Sequence, residues 1–291
     1  LLAFKSADKI ILHPDYSILG GRILLSRQSK LIGEKLQPVD LTYDFFAATT
    51  FLDKYSDKSE EESPVELPHM MYKRVSNVLY PNDSKHKDEL LEELNAKRGN
   101  FATPTYTNLG VEGRGSAISC NLTHLKGDNT ADIEETLTKI AYASKEGSGI
   151  GLFIDPLRSQ ESTVSSFKAG GVPRFADMVQ SKMRFYKQGS RSGSCALYMS
   201  LWHKDILSFL SLTLPIGEEV LRARDLFTAV IVNDLFMNKL LADEEWYLFC
   251  PNDIYKAGLP ALQDVIGEEF VDVYNKAVEL GLGTKIQAKT I

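Results

Sequence analysis

The sequence predicts an α/β protein in which a mostly helical N-terminal region, residues 1–100, precedes a region of alternating strands and helices, residues 101–291. Two observations predict the class. In the first hundred residues apolar positions recur at helical spacing between polar breaks. From about residue 100 short apolar runs alternate with amphipathic segments, and strands separated by helices in this way build a parallel sheet or barrel rather than an antiparallel meander. A third observation, 43% apolar and 25% charged residues over 291 positions, is the composition of a chain that buries a large core.

The elements follow in order. "SILGGRILLSRQSKLIGEKL" carries Ile18, Leu19, Ile23, Leu24 and Leu25, then Leu31 and Ile32, as one helix. "DSKHKDELLEELNAKRG" opens on the cap-type residues Asp83 and Ser84 and is expected to end at Gly99. Between them "DKYSDKSEEESPVE" reads as an exposed acidic loop, its charge run a solvated surface. "ADIEETLTKIAYASKEG" sets Ile133, Leu137, Ile140 and Ala141 on one helical face, with Asn129 or Thr130 as cap and Gly147 as terminator. The strand "IGLFI" follows. A second helix, "PRFADMVQSKMRFYKQG", has Pro173 near its first turn and Phe175, Met178, Val179, Lys182 and Tyr186 along one face. Then come strand "CALYMSL", helix "HKDILSFLSL", strand "TAVIVN", helix "DLFMNKLLAD", strand "WYLFC" and helix "GEEFVDVYNKAVEL".

Charge and residue counts bound the function. A net charge of −6 argues against a broad electropositive surface for nucleic acid or an anionic membrane. The longest apolar run, "LFTAVIV", is too short to cross a bilayer. Cys120, Cys195 and Cys250 form no CxxC pair, which points to a reducing compartment, and with no secretory leader read at Leu1 the expected location is the cytoplasm. The five histidines, at 13, 69, 86, 124 and 203, have no ligand spacing, so no metal site is expected.

Several short motifs admit more than one reading. "GSGIG", 147–151, has a glycine-rich look, but its place after a helix and before a strand reads as a plain helix-to-strand turn. "KQGSRSGS", 187–194, and "LRSQESTVSSFKAGG", 157–171, are loops able to fold over a ligand or to remain ordinary surface connections. Trp202 and His203 in "LWHKDI" stand at a strand-to-helix junction, where a lone histidine is usually structural, and Cys250 in "YLFCPND" reads as core. Cys120 in "GSAISCNL" reads first as a core atom, with a redox reagent as the alternative; composition and spacing leave both open.

Taken together, "HPDYSILGGRI", "LPHMMYKRVS", "FATPTYTNLG", "ISCNL", "IAYASKEGSGIGL", "WHKDI", "RARDLF", "DLFM" and "CPND" resemble the large (α) subunit of class I ribonucleotide reductases, in the family's order and at about its spacing. The resemblance implies a helical region followed by the first half of a ten-stranded α/β barrel. It implies radical-based reduction of ribonucleoside diphosphates, with Cys120 as one of the two reducing thiols. It implies Thr103, Ser119 and Gly149 as substrate-binding positions, and Asp128, Asn129, Lys145, Arg158, Gln188 and Arg191 as binders of an allosteric deoxynucleoside triphosphate or ATP. The loops 157–171 and 187–194 match the two specificity loops, and the helices beginning near 131 and 173 match the α-dimer interface.

The family's second reducing cysteine and radical cysteine fall, by its order, beyond residue 291, and Cys195 and Cys250 match neither. The expected partners are therefore a C-terminal half of the α subunit, a radical-generating β subunit with a dimetal centre, and thioredoxin or glutaredoxin. No cofactor is expected on the chain itself. A second reading keeps the chain as a non-catalytic deoxynucleotide-binding assembly or regulatory module.

Overall fold

The fold is described from a computed structural model, which covers residues 1–164, 166–186 and 193–291. Contacts divide the chain into two units, Leu1–Ser119 and Cys120–Ile291, so the division falls at 119/120 rather than at the expected 100/101. The segment 101–119 joins the helical unit because Tyr106 is buried in its core beside Tyr72 and Val75.

The first unit is helical: α1 (Leu2–Ala7), α2 (Asp15–Ile32), α3 (Phe45–Thr50), α4 (Pro68–Leu79), α5 (Ser84–Asn95) and α6 (Thr103–Asn108), with a π-helical turn, Phe51–Tyr55, running on from α3. Asp44 starts α3 by accepting the Ala47 N–H at 2.7 Å, and Asp83 starts α5 by accepting the His86 N–H at 3.1 Å. The helix α5 ends at Asn95, earlier than expected, and the left-handed residue that terminates it is Lys97 (φ 56°), not Gly99. Leu25, Phe51, Leu67, Val75 and Tyr106 form the core of this unit. An ion pair lies at its edge: the Arg74 guanidinium donates to both Glu66 carboxylate oxygens, at 2.7 and 2.9 Å, and also to the Tyr106 and Leu109 carbonyls at the end of α6.

The second unit alternates as expected: β1 (Cys120–His124), α7 (Thr130–Lys145), β2 (Gly149–Phe153), a hairpin of β3 (Thr163–Val164) and β4 (Phe167–Lys168), α8 (Gly171–Phe185), β5 (Ser194–Ser200), α9 (Ile206–Leu210) and β6 (Phe227–Ile231). β1, β2, β5 and β6 lie in that order in an open, wholly parallel sheet. Asn129 caps α7 by accepting the Asp132 N–H at 3.0 Å. Gly147 (φ 68°) ends the helix with the paired bonds Gly147 N–H to Ser144 O and Ser148 N–H to Ala143 O.

Alternation along the strands then sorts the two sheet faces. Ile150, Leu152, Cys195, Leu197 and Met199 are buried in one core with Leu137 and Ile140 of α7 and Val172, Phe175 and Val179 of α8. Each such side chain contributes about 1.5–3 kcal/mol by burial. Met178, expected on the inward face of α8, is exposed, and Met183 takes the buried position instead.

The chain continues through α10 (Asp234–Leu241), β7 (Glu245–Leu248), α11 (Pro251–Lys256), α12 (Gly267–Glu279) and β8 (Thr284–Gln287). Here the expectation of a parallel strand gives way, because β7 pairs antiparallel with β8. The inward side chains decide it: Trp246 is fully buried, stacks on Tyr274 of α12 at 4.6 Å, and donates its indole N–H to Leu201 O at 2.9 Å. Parallel pairing survives only as the single bridge between His203 and Phe249. Cys250 is buried as expected, but it caps α11 rather than ending a strand.

Candidate functional site

Register places Cys120 at the start of β1 directly beside Gly149 of β2, which in turn pairs with Ser194 of β5. These three residues share the sheet face turned away from the helical core. Leu122, Gly151 and Ala196 form the next row along. At Gly151 a Cβ would stand 2.5 Å from Leu122 Cδ2 and 3.2 Å from Tyr198 Cε2, so the glycine keeps this face low between larger neighbours.

Cys120 is exposed here, whereas Cys195 and Cys250 are buried. Burial pushes the Cys195 thiol up to about 12, which removes it from thiolate chemistry near neutral pH. Cys120 is not packed in the helix-covered core, and it presents an accessible thiol at a strand start beside a glycine.

In the first unit Thr103 opens α6 and its hydroxyl meets the Tyr55 hydroxyl at 3.0 Å. Both line a cavity of about 840 Å³, together with Ser119, Tyr43, Tyr72, Tyr106, Phe101 and Lys97. The structure thus brings Thr103 and Ser119 to one cavity within the first unit. Tyr55 and Lys97 also line this cavity, and neither stands in a motif that marks it in the sequence.

Of the predicted effector residues, Asp128 and Arg158 form an ion pair, and Arg158 also donates to Asp128 O at 3.3 Å. Burial pushes the Asp128 carboxyl up, against the opposing pull of the Arg158 guanidinium. The pair lines a cavity of about 510 Å³ with Lys126, Asn129, Trp202 and Gln263. The Asn129 side chain is occupied as the cap of α7, its amide also donating to Asp132 at 2.6 Å. Lys145 lies at the far end of that sixteen-residue helix, about 24 Å away along its axis, and is not brought to the pair. Gln188 and Arg191 lie outside the described residues.

His203 proves structural, as its lone position suggested. Fully buried, it donates Nε2–H to Leu157 O at 2.7 Å and accepts the Asp205 N–H at Nδ1, 3.0 Å away. Asp155 is also buried: one carboxylate oxygen accepts the Ser200 N–H at 2.7 Å, the other has no hydrogen-bond partner among the described residues, and burial pushes its pKa up. Among the described residues no group of three or more His, Cys, Asp and Glu is placed to hold a metal ion, and no helix is long and apolar enough to cross a membrane.

Fold and site define a protein with a helical unit and a parallel α/β sheet whose first strand opens on an accessible thiol. Residues 41–114 match the family described as ribonucleotide reductase, all-alpha domain, and residues 118–291 match ribonucleotide reductase, barrel domain. The chain belongs to the ribonucleotide reductase family, as its large-subunit motifs imply. Among curated relatives it is 35% identical over 250 residues to a ribonucleoside-diphosphate reductase large subunit of Plasmodium falciparum, covering 84% of this chain and 30% of the relative. It is 29% identical over 322 residues to a large chain of Schizosaccharomyces pombe (95% and 39%) and 31% identical over 268 residues to a large subunit of Arabidopsis thaliana (91% and 32%). The chain thus spans about a third of the length of these relatives.

Proposed function

We propose that the chain is a component of a ribonucleoside-diphosphate reductase and that Cys120 is one of its two reducing thiols. The observation that carries this reading is the exposed Cys120 beside Gly149, on the free face of the parallel sheet. A glycine next to the thiol leaves the backbone open to close approach by a sugar ring. In the reaction the ribose 2′-hydroxyl leaves as water and hydrogen takes its place, while two thiols give up two electrons and two protons and become a disulfide. A dithiol redoxin then reduces that disulfide by thiol exchange.

Cys195 and Cys250 are buried, so the second thiol comes from a segment outside these 291 residues. The same outside segment supplies the radical cysteine, and a β subunit with a dimetal centre supplies the radical. Thr103 and Ser119 contact the substrate. Asp128 and Arg158 hold an allosteric deoxynucleoside triphosphate or ATP, with Asn129, Gln188 and Arg191 in supporting roles. The exposed Tyr142 of α7 and Met178 of α8 face a second α chain, and the setting is the reducing cytoplasm.

An accessible thiol favours this enzyme reading over a purely regulatory module. The test is to assemble the chain with a segment carrying the second thiol and the radical cysteine, add the β subunit, and measure redoxin-driven CDP reduction. Cys120→Ser should abolish multiple turnover; a wild-type rate in that variant removes Cys120 from the reaction.

A further inference from the structure

The cavity of the first unit has an unusual lining for so acidic a chain. Although the net charge is −6, no Asp or Glu lines the cavity, whereas Lys97 and Arg98 both do. Arg98 is already neutralised, donating to both Glu93 oxygens at 2.8 Å and to Glu92 at 3.3 Å. Lys97 pairs with no carboxylate among the described residues, and its ammonium lies 4.7 Å from the Tyr43 ring centroid, over the cavity wall. One uncompensated positive charge therefore stands above aromatic rings and the Tyr55 and Thr103 hydroxyls.

The backbone at Lys97 points the same way. It takes the left-handed conformation just past the end of α5, with Lys97 N–H bonded to Leu94 O and Arg98 N–H to Glu93 O. Glycine is the favoured residue there, and a side chain at that position carries a conformational penalty. Glu62, Glu161 and Asp243 share the conformation, so the strain alone signals nothing. What separates Lys97 is that its side chain returns over a cavity that otherwise lacks uncompensated charge.

We propose that Lys97 is a ligand-binding cation of this cavity, taking the phosphate end of a nucleotide whose base packs on the tyrosine wall, and that Tyr55 is a positioning residue that holds the Thr103 hydroxyl. The inference rests on the reading of Thr103 and Ser119 as substrate-binding residues and adds two side chains to them. A single ammonium against a phosphate supplies attraction, the hydroxyls supply direction, and the aromatic wall accepts the flat base.

The test uses the 291-residue chain with CDP and cytidine as probes, titrated calorimetrically. Lys97→Gly replaces the strained residue by the one the backbone prefers, so its melting temperature should be unchanged or higher. CDP affinity should nevertheless fall about tenfold, about 1.4 kcal/mol, with cytidine affinity unchanged. Tyr55→Phe should weaken CDP about fivefold and leave cytidine alone. Equal CDP affinity in wild type and Lys97→Gly overturns the role of Lys97, equal affinity in Tyr55→Phe overturns that of Tyr55, and no CDP binding by the wild-type chain overturns both. Lys97-dependent binding without CDP reduction by the assembled enzyme leaves this inference standing and removes the reductase reading instead.

Discussion

The Asp205 carboxylate accepts the Gln160 N–H at 2.9 Å and the Val172 N–H at 3.0 Å, which ties together the two ends of the segment that follows Arg158. Its neighbour His203 holds Leu157 O from the same strand-to-helix turn. Gly171 completes the neck: with φ at 60°, a Cβ there would stand 2.3 Å from Gln160 N and 2.4 Å from Asp205 Oδ2. Asp205→Ala, which orphans the buried Val172 N–H and the part-buried Gln160 N–H, should destabilise the second unit by about 2–4 kcal/mol. Gly171→Ala should cost more than 1 kcal/mol through the left-handed backbone alone, with the clash in addition. Because both act on one neck, the double variant should cost less than the sum. Both tryptophans, Trp202 and Trp246, belong to the second unit, so tryptophan fluorescence in urea reads this transition directly. Full additivity would mean that the two residues do not share a structural element.

Thiol accessibility makes a second prediction. Iodoacetamide at pH 8 should alkylate Cys120 in the native chain well before Cys195 and Cys250, which are buried. The Cys195 thiol, pushed up to about 12, is both shielded and almost wholly protonated under these conditions. Peptide mapping by mass spectrometry after short exposure should find label at Cys120 first, and in urea at all three. Early label on Cys195 would contradict the packing of β5 against α7 and α8.

Much of this was legible from sequence, and the limits have physical causes. The cap at Asn129, the stop at Gly147 and the strand at 149–153 depend on local chemistry and period, which a sequence carries openly. The partner of β7 depends on where Trp246 finds room and an acceptor, and Leu201 is forty-five positions away. Cys120 was ambiguous for the same reason. Whether a strand residue faces core or solvent is set by which sheet face the helices cover, a fact of assembly. Lys97 escaped notice because Gly99, two residues on, offered a simpler helix end that the backbone does not use.

Glu135 of α7 gives a pH prediction whose sign is fixed. It accepts from Lys126 at 2.8 Å and lies 2.8 Å from Lys139, and these cations, Lys126 foremost, hold its carboxyl down at about 2 against an ordinary 4.5. A depressed folded-state value means that the stabilisation is present above pH 4.5 and is lost as pH falls through about 2. Glu135→Gln should therefore flatten the acid limb of the stability curve between those values. The group is exposed, so about 1 M salt should shrink the difference between wild type and variant. An unchanged acid limb in Glu135→Gln would show that the bridge contributes nothing in solution.

Arg74 carries the last prediction, since it joins the buried Glu66 to the end of the helix that bears Thr103. Glu66 also accepts the Asp57 N–H at 3.0 Å, so the pair organises the approach to that helix from two sides. Arg74→Met strands the Glu66 carboxylate in a largely buried place and also releases the Tyr106 and Leu109 carbonyls, an effect of about 3–5 kcal/mol. Adding Glu66→Gln removes the stranded charge while keeping an acceptor for Asp57, and should recover at least 1 kcal/mol. Hydrogen exchange read on peptides from Leu1–Ser119 follows the first unit during urea unfolding. A double variant no more stable than Arg74→Met would show that the lost carbonyl contacts, rather than the stranded charge, dominate. The guanidinium would then act chiefly as a clasp on the end of α6.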